Sequence, residues 1–153
     1  MQRVRRDQGF TLIEIISVIL IVGVMVAVAV PMFDTSGISV AEAASIIKSD
    51  IRFVQELALS RNPDTEGEVG ITFAVGQTSY SIIDPQGIFT TTTRDLPDGV
   101  SITTAPATTG NVISFNKFGE PEFTSATVTI EVGSSGQTKS IVIQKYTGTI
   151  TIS

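Results

Sequence analysis

The 153-residue chain contains no cysteine and no histidine. Those two absences remove disulfides, the usual zinc sites, a cysteine nucleophile and any Ser-His-Asp arrangement. A folded part of this chain must hold together by its core alone, and the roughly 90 residues beyond position 63 suffice for one modest core. No GxxxxGK[ST] phosphate-binding loop occurs. Basic residues are scarce, with ten Lys and Arg against fifteen Asp and Glu. They are also unevenly placed. Arg3, Arg5 and Arg6 against Asp7 leave +2 in the first nine residues, whereas the remainder holds 7 basic and 14 acidic residues. Affinity for nucleic acid comes largely from Lys and Arg neutralising phosphates. Lys117, Lys139 and Lys145 are too few for a patch unless folding gathers them, so the acidic balance argues against nucleic acid as a partner. A carboxylate-only site would have to come from Asp84, Asp95, Asp98, Glu120 and Glu122. Each lies near Gly or Pro in an expected turn, where a solvated carboxylate is ordinary, and no positioned base or nucleophile can be named. The chain is accordingly expected not to be an enzyme and to use no cofactor or metal.

Hydrophobic residues make up 42% of the chain but are concentrated near its start, so a mean hydropathy of +0.32 describes neither half. From Phe10 to Val30 the sequence reads FTLIEIISVILIVGVMVAVAV. As a helix, 21 residues reach about 31 Å, enough for a bilayer core of about 30 Å. Basic residues precede this run and none follows until Lys48. By the positive-inside rule the N-terminus stays cytoplasmic and the remainder is exported. Three readings compete. A cleaved secretory signal has a shorter apolar region, about 7–15 residues, and a small-residue cleavage site. An ordinary signal anchor fits the length but not the polar residues near the start. The third reading turns on Glu14, a carboxylate inside an otherwise apolar run. Such a group costs several kcal/mol at the membrane centre, about 3 kcal/mol on insertion scales, and less towards the interface. It either snorkels to a shallow interface or marks a functional site with a partner.

The stretch Arg5-Arg6-Asp7-Gln8-Gly9-Phe10-Thr11-Leu12-Ile13-Glu14 resembles the class III signal of type IV pilins and type II secretion pseudopilins. Leader charge, a Gly-Phe junction, the Glu spacing and the apolar run coincide. The resemblance implies cleavage between Gly9 and Phe10 by a prepilin peptidase on the cytoplasmic side, with N-methylation of the new Phe10 terminus and retention of the apolar helix. Gly9 offers a protease an unobstructed backbone. Cleavage would free an amine at Phe10, and in a filament a neighbour's amine beside Glu14 offsets what each charge alone would cost in lipid. Glu14 then acts as an assembly residue that sets the stagger between subunits.

Beyond the run, Pro31 removes a backbone hydrogen bond and kinks or ends the helix, and a break across 31–37 is expected. Helical periodicity resumes over 38–61, with Ala43, Ile47, Ile51, Val54 and Ala58 on one stripe and Lys48, Asp50, Arg52 and Glu56 largely off it. Asn62-Pro63 ends the segment. Alternation with a period of two starts near residue 68, with Val69, Ile71, Phe73 and Val75 facing one way. Further strands are expected near 78–84, 87–92, 99–104, 111–116, 125–132, 138–145 and 148–153, with a hairpin turn at Ser134-Ser135-Gly136. Mobile loops are expected over 90–93 and 103–109. The expected fold is α+β. A long N-terminal helix, membrane-spanning in its first half and amphipathic in its second, packs on an antiparallel sheet, with a second small sheet completing a sandwich. The expected divisions are a leader over 1–9, a transmembrane helix over 10–30, an amphipathic continuation over 31–63 and a β-rich periplasmic domain over 64–153.

Phe115-x-x-x-Gly119-x-Pro121, Thr127-Val128-Thr129-Ile130 and Ile141-Val142-Ile143 followed by Thr147-Gly148 resemble the H-type pseudopilin and FimT-like minor pilin domain, as does Ala58-x-x-x-Asn62. Members commonly carry Arg after the Thr-Gly, where this chain has Thr149, which puts an Arg-dependent contact to a partner or DNA in doubt. Turn chemistry alone also accounts for Gly119, Pro121 and Gly148. The resemblance implies a minor pseudopilin in the pseudopilus of a type II secretion system, anchored in the inner membrane. The alternative is a minor type IV pilin in pilus assembly or DNA uptake; a major pilin fits less well, since many close a C-terminal loop with a disulfide. Implied partners are other pilin or pseudopilin subunits, the prepilin peptidase, inner-membrane lipid, and a secretin or assembly platform.

Overall fold

A computed structural model describes residues 9–29, 35–65, 67–84, 86–87 and 92–153. The chain forms two units, residues 1–34 and 35–153. In the first, helix α1 spans Leu12–Ala29. Its 18 residues rise about 27 Å, and Phe10 and Thr11 precede it without helical backbone. Among the described residues no helix is long and apolar enough to cross a membrane. The span expected over 10–30 is therefore not established by the structure. Val30 and Pro31, with the expected kink, lie outside the described residues.

The second unit is α+β, as expected. Helix α2, Ser36–Arg61, starts two residues ahead of its expected first residue, Ile38. Val40, Ala43, Ala44, Ile47, Ile51, Val54, Leu57 and Ala58 form its buried stripe, the three- and four-residue spacing that puts side chains on one helical face. Asn62 stops it in the left-handed region, at φ 52°, and donates its N–H to the Ala58 carbonyl at 3.0 Å. Pro63 cannot continue the helix.

Eight short strands follow: β1 Gly70–Thr72, β2 Ser79–Ile83, β3 Thr93–Asp95, β4 Ser101–Thr104, β5 Val112–Ser114, β6 Thr127–Ser134, β7 Gln137–Gln144 and β8 Ile150–Ile152. They pair antiparallel in two four-stranded sheets, ordered β3-β2-β1-β5 and β4-β6-β7-β8. The second sheet is thus as large as the first. A short 3₁₀ turn covers Thr109–Asn111. Helix α2 lies against β1 and against β6, β7 and β8, so one core joins it to both sheets through Ile71, Phe73, Ile113, Phe115, Ile130 and Ile141. The long β6–β7 hairpin closes through Ser135 and Gly136, at φ 49° and 80°. Positive φ at both central residues gives the turn whose twist matches the strands it joins.

Several expectations shift. Val75 is 60% exposed rather than inward-facing, because β1 ends at Thr72 and the chain turns at Gly76, φ 82°. Thr103 and Thr104 fell both in the strand expected over 99–104 and in the loop expected over 103–109, and they belong to β4; a register shift between Ile102 and Thr104 lets Thr104 donate its hydroxyl to Glu131 Oε2 at 2.6 Å. Ser134 pairs with Gln137 inside the ladder instead of turning. The strand expected over 87–92 falls mostly on 88–91, outside the described residues, and Thr93, expected in a loop, opens β3.

Two polar ties fasten α2 to the first sheet. Arg61 at the helix end donates from Nε to Asp84 Oδ1 at 2.9 Å and from an η nitrogen to Oδ2 at 3.2 Å, the fork geometry that favours arginine. Asp84 also accepts from the Gln86 amide at 3.2 Å, shaping the turn after β2. Tyr80 of β2 donates its hydroxyl to Asp50 Oδ2 at 2.8 Å, and Arg94 of β3 lies 3.5 Å from the same oxygen. The Tyr80 ring sits 5.3 Å from that of Phe73. Burial, together with the bond to Asp50, pushes the Tyr80 phenol well above its ordinary value of 10.0. A phenol that ionises later in the folded chain stabilises it fully below pH 10.0, and that contribution is lost as the pH rises beyond it. Tyr80→Phe should cost about 1 kcal/mol at pH 7, the worth of one hydrogen bond. In denaturant melts the gap to wild type should narrow at high pH. A gap unchanged between pH 7 and pH 11 would show that the phenol is not the responding group.

Candidate functional site

The candidate site lies where α1 begins. Glu14 donates its backbone N–H to the Thr11 carbonyl at 3.1 Å and lies 3.4 Å from Thr11 Oγ1, and Ile15 N–H reaches the same carbonyl at 3.3 Å. Thr11 thus precedes the first helical turn as its cap, and Glu14 is the third helical residue. Thr-x-x-Glu is the spacing of a capping box. A carboxylate in the first turn also meets the positive end of the helix dipole, worth about 0.3–1 kcal/mol. Ser17 returns its hydroxyl to the Ile13 carbonyl at 2.8 Å, so this second polar side chain is satisfied within the helix. Glu14 is therefore an acid at the edge of the apolar run, with helical backbone on one side only of its first turn. The signal for this support stood in the sequence as Thr11, three residues ahead of Glu14.

Gly9, Phe10, Thr11 and Glu14 line one open concavity, so the expected processing and assembly residues are neighbours. Phe10 is 80% exposed. Among the described residues, a Cβ built on Gly9 would meet nothing within 4 Å. The fold itself thus does not require glycine at position 9. Along α1 the large apolar side chains described are exposed on every side, from Leu12 at 79% to Ile15 at 48%, and Glu14 is the one charged residue among them. A helix apolar all round belongs inside a larger assembly or in lipid.

In the second unit Glu120 and Glu122 line one open concavity with Lys145 and Tyr146, whereas Asp84, Asp95 and Asp98 do not line it. Asp84 holds Arg61, Glu120 accepts from Asn116 Nδ2 at 2.9 Å, and Glu122 accepts from the Gly67 amide at 3.2 Å. Asp95 and Asp98 are exposed. Among the described residues, no three acidic side chains gather where a metal ion could sit. Asp50, off the buried stripe as expected, is the acid that faces a buried tyrosine. Lys117 and Lys145 lie on neighbouring turns, whereas Lys139 pairs with Val132 in the hairpin, so folding does not gather the three lysines.

The two motif glycines sit in turns, as turn chemistry alone accounts for, and what the sequence did not reveal is their shared contact with Gln55. Gly119, φ 74°, completes a turn in which Asn116 Oδ1 accepts from the amides of Phe118 and Glu120. Gly148, φ 61°, turns the chain between β7 and β8. Gln55 of α2 donates from Nε2 to the Gly119 carbonyl at 2.7 Å, and the same nitrogen would lie 3.0 Å from a Cβ at Gly148. Glycine at both places lets two turns close on one helical side chain. Pro121 bridges to Phe115 across the first of them.

Residues 4–30 match the prokaryotic N-terminal methylation motif. No solved structure matches the chain. The match starts in the basic leader and ends with the apolar run, and it contains Gly9, Phe10, Thr11 and Glu14. Through this segment the chain carries a type IV prepilin-like signal and is similar to pilin-like proteins that a prepilin peptidase processes and that assemble with other pilins.

Proposed function

We propose that the chain is a structural filament subunit and not an enzyme. Its leader, residues 1–9, is removed between Gly9 and Phe10, the new Phe10 amine is methylated, and residues 10–30 hold the protein in the inner membrane until it joins a filament. The N-terminus faces the cytoplasm and the β-rich domain faces the periplasm. The observation that carries this reading is the exposed apolar surface of α1, in which Glu14 is the one charged residue and Ser17 is satisfied within the helix. Nothing in that helix but Glu14 needs a polar partner, and an amine freed at Phe10 of an adjacent subunit is one of suitable charge. The unconstrained surroundings of Gly9 support a requirement imposed by a protease rather than by the fold.

Within that class we assign the chain to the minor pseudopilins of a type II secretion system, H-type, with a role in protein export across the outer membrane. The support is the pattern Phe115, Gly119, Pro121, Thr147 and Gly148, whose residues form the paired turns around Gln55. A minor type IV pilin is the second reading, favoured by the same turns. Co-purification with a secretin and other pseudopilins supports the first; co-purification with a pilus machine supports the second.

Mass spectrometry of the chain recovered from its own membranes should show Phe10 as the first residue, carrying one added methyl group. A chain retaining residues 1–9, or one released without its apolar segment, contradicts the reading. Glu14→Ala should leave the membrane anchor intact and lower incorporation into filaments at least about tenfold, the equivalent of roughly 1.4 kcal/mol of lost pairing. Normal incorporation would remove Glu14 from the assembly mechanism.

A further inference from the structure

Strand β5 carries a hydroxyl that the fold leaves without a partner. Ile113 and Phe115 are fully buried in the core, so strand alternation sends Ser114, between them, to the opposite face. Ser114 is still only 5% exposed, and its Oγ makes no hydrogen bond among the described residues. A buried hydroxyl in that state calls for a partner from outside the fold. Ser114 opens into a cavity of about 320 Å³, lined also by Gly67, Thr108, Thr109, Val112 and Glu122. The wall at Glu122 is fixed to the strand, since the Glu122 amide donates to the Ser114 carbonyl at 3.0 Å. A space of that size far exceeds the share of one water and takes a side chain or a small ligand. A Cβ on Gly67 would meet nothing within 4 Å among the described residues, so the cavity is unobstructed on that side.

The polar groups around this cavity are suited to accepting hydrogen bonds. Glu122 takes the Gly67 amide on Oε2 at 3.2 Å, which leaves Oε1 open, and among the described residues Glu122 forms no ion pair. Thr108 has committed its hydroxyl proton to the Val112 carbonyl at 2.6 Å, so its oxygen can now only accept. The hydroxyls of Ser114 and Thr109 can accept as well. Among the described residues no Lys or Arg lines the cavity. Lys145 lines a different concavity that Glu122 also borders. A carboxylate among accepting hydroxyls selects a ligand that is positively charged and rich in N–H donors. A guanidinium has five such donors in a planar fork and no acceptor, whereas an ammonium concentrates three at one point. The accepting groups come from three separate stretches of chain, at 108–109, 114 and 122, which favours the wider fork. Half-buried Val112 offers apolar surface to the alkyl stem that carries such a group.

We propose that this cavity binds a guanidinium group, presented as an arginine side chain of a partner protein. Glu122 meets the charge, and the hydroxyls of Ser114 and Thr108 accept the remaining N–H groups. The inference goes beyond the filament role proposed above. It concerns the second unit alone, uses none of residues 10–30 and does not depend on Glu14.

NMR titration of the isotope-labelled full-length chain in detergent micelles tests it, with N-acetyl-argininamide as the probe, whose blocked ends mimic a residue within a chain. The amides of Gly67, Thr109 and Ser114 and the carboxyl of Glu122 should shift together and saturate. Glu122→Gln can keep its bond to Gly67 but loses the charge, and should weaken binding about tenfold. Ser114→Ala removes only an unpartnered hydroxyl, so the fold should stand while binding falls roughly fivefold. Glu120→Gln, outside the cavity, should bind as wild type, which separates this site from general attraction to an acidic surface. N-acetyl-lysinamide should bind at least roughly fivefold more weakly than the arginine probe. No saturable shift, shifts centred on Lys145 and Tyr146, equal binding of the lysine probe, or unchanged binding by E122Q or S114A chains overturns the proposal.

Discussion

The account depends on one electrostatic constraint, the cost of keeping the Glu14 carboxylate in apolar surroundings. The fold meets part of that cost locally. Thr11 caps the helix, Glu14 occupies its first turn, and the helix dipole favours negative charge there. What the first turn offers, about 1 kcal/mol or less, is smaller than the several kcal/mol of desolvation, so a counter-charge from outside the chain has a defined place to act. The apolar side chains around Glu14 make the same demand in another form: they are exposed in the chain itself and must be covered by lipid or by neighbouring helices.

The second unit meets its own constraint without covalent help. With no cysteine available, α2 is held to the sheets by a continuous apolar core and by two polar ties, Arg61 to Asp84 and Tyr80 to Asp50 with Arg94. Both ties join the helix to the first sheet, whereas Gln55 reaches the turn that follows β5 of the first sheet and the turn between β7 and β8 of the second.

Much of this was legible beforehand because it follows from periodicity and turn chemistry. The stripe from Ala43 to Ala58 and the stop at Asn62-Pro63 are short-range patterns and appear as expected, and the hairpin appears with its turn narrowed to Ser135-Gly136. The Gly9-Phe10 junction and Glu14 were legible as a motif, and the cap from Thr11 was there to be read. What stayed hidden is long-range. Asp50 meets Tyr80 thirty residues on, and Gln55 meets Gly119 sixty-four residues on. Neither spacing leaves a local signature. Strand limits were also hard to place where Thr-rich stretches fit both a loop and an edge strand, as at Thr93, Thr103 and Thr104.

The most direct measurement of the central claim is a solid-state NMR contact in assembled filaments made from two populations of subunits. One population carries 15N at the Phe10 amine, and the other carries 13C at the Glu14 carboxyl. Charge pairing between adjacent copies predicts a through-space contact at about 4 Å or less, the reach of an ion pair. A Glu14 carboxyl with no contact to that nitrogen would contradict it.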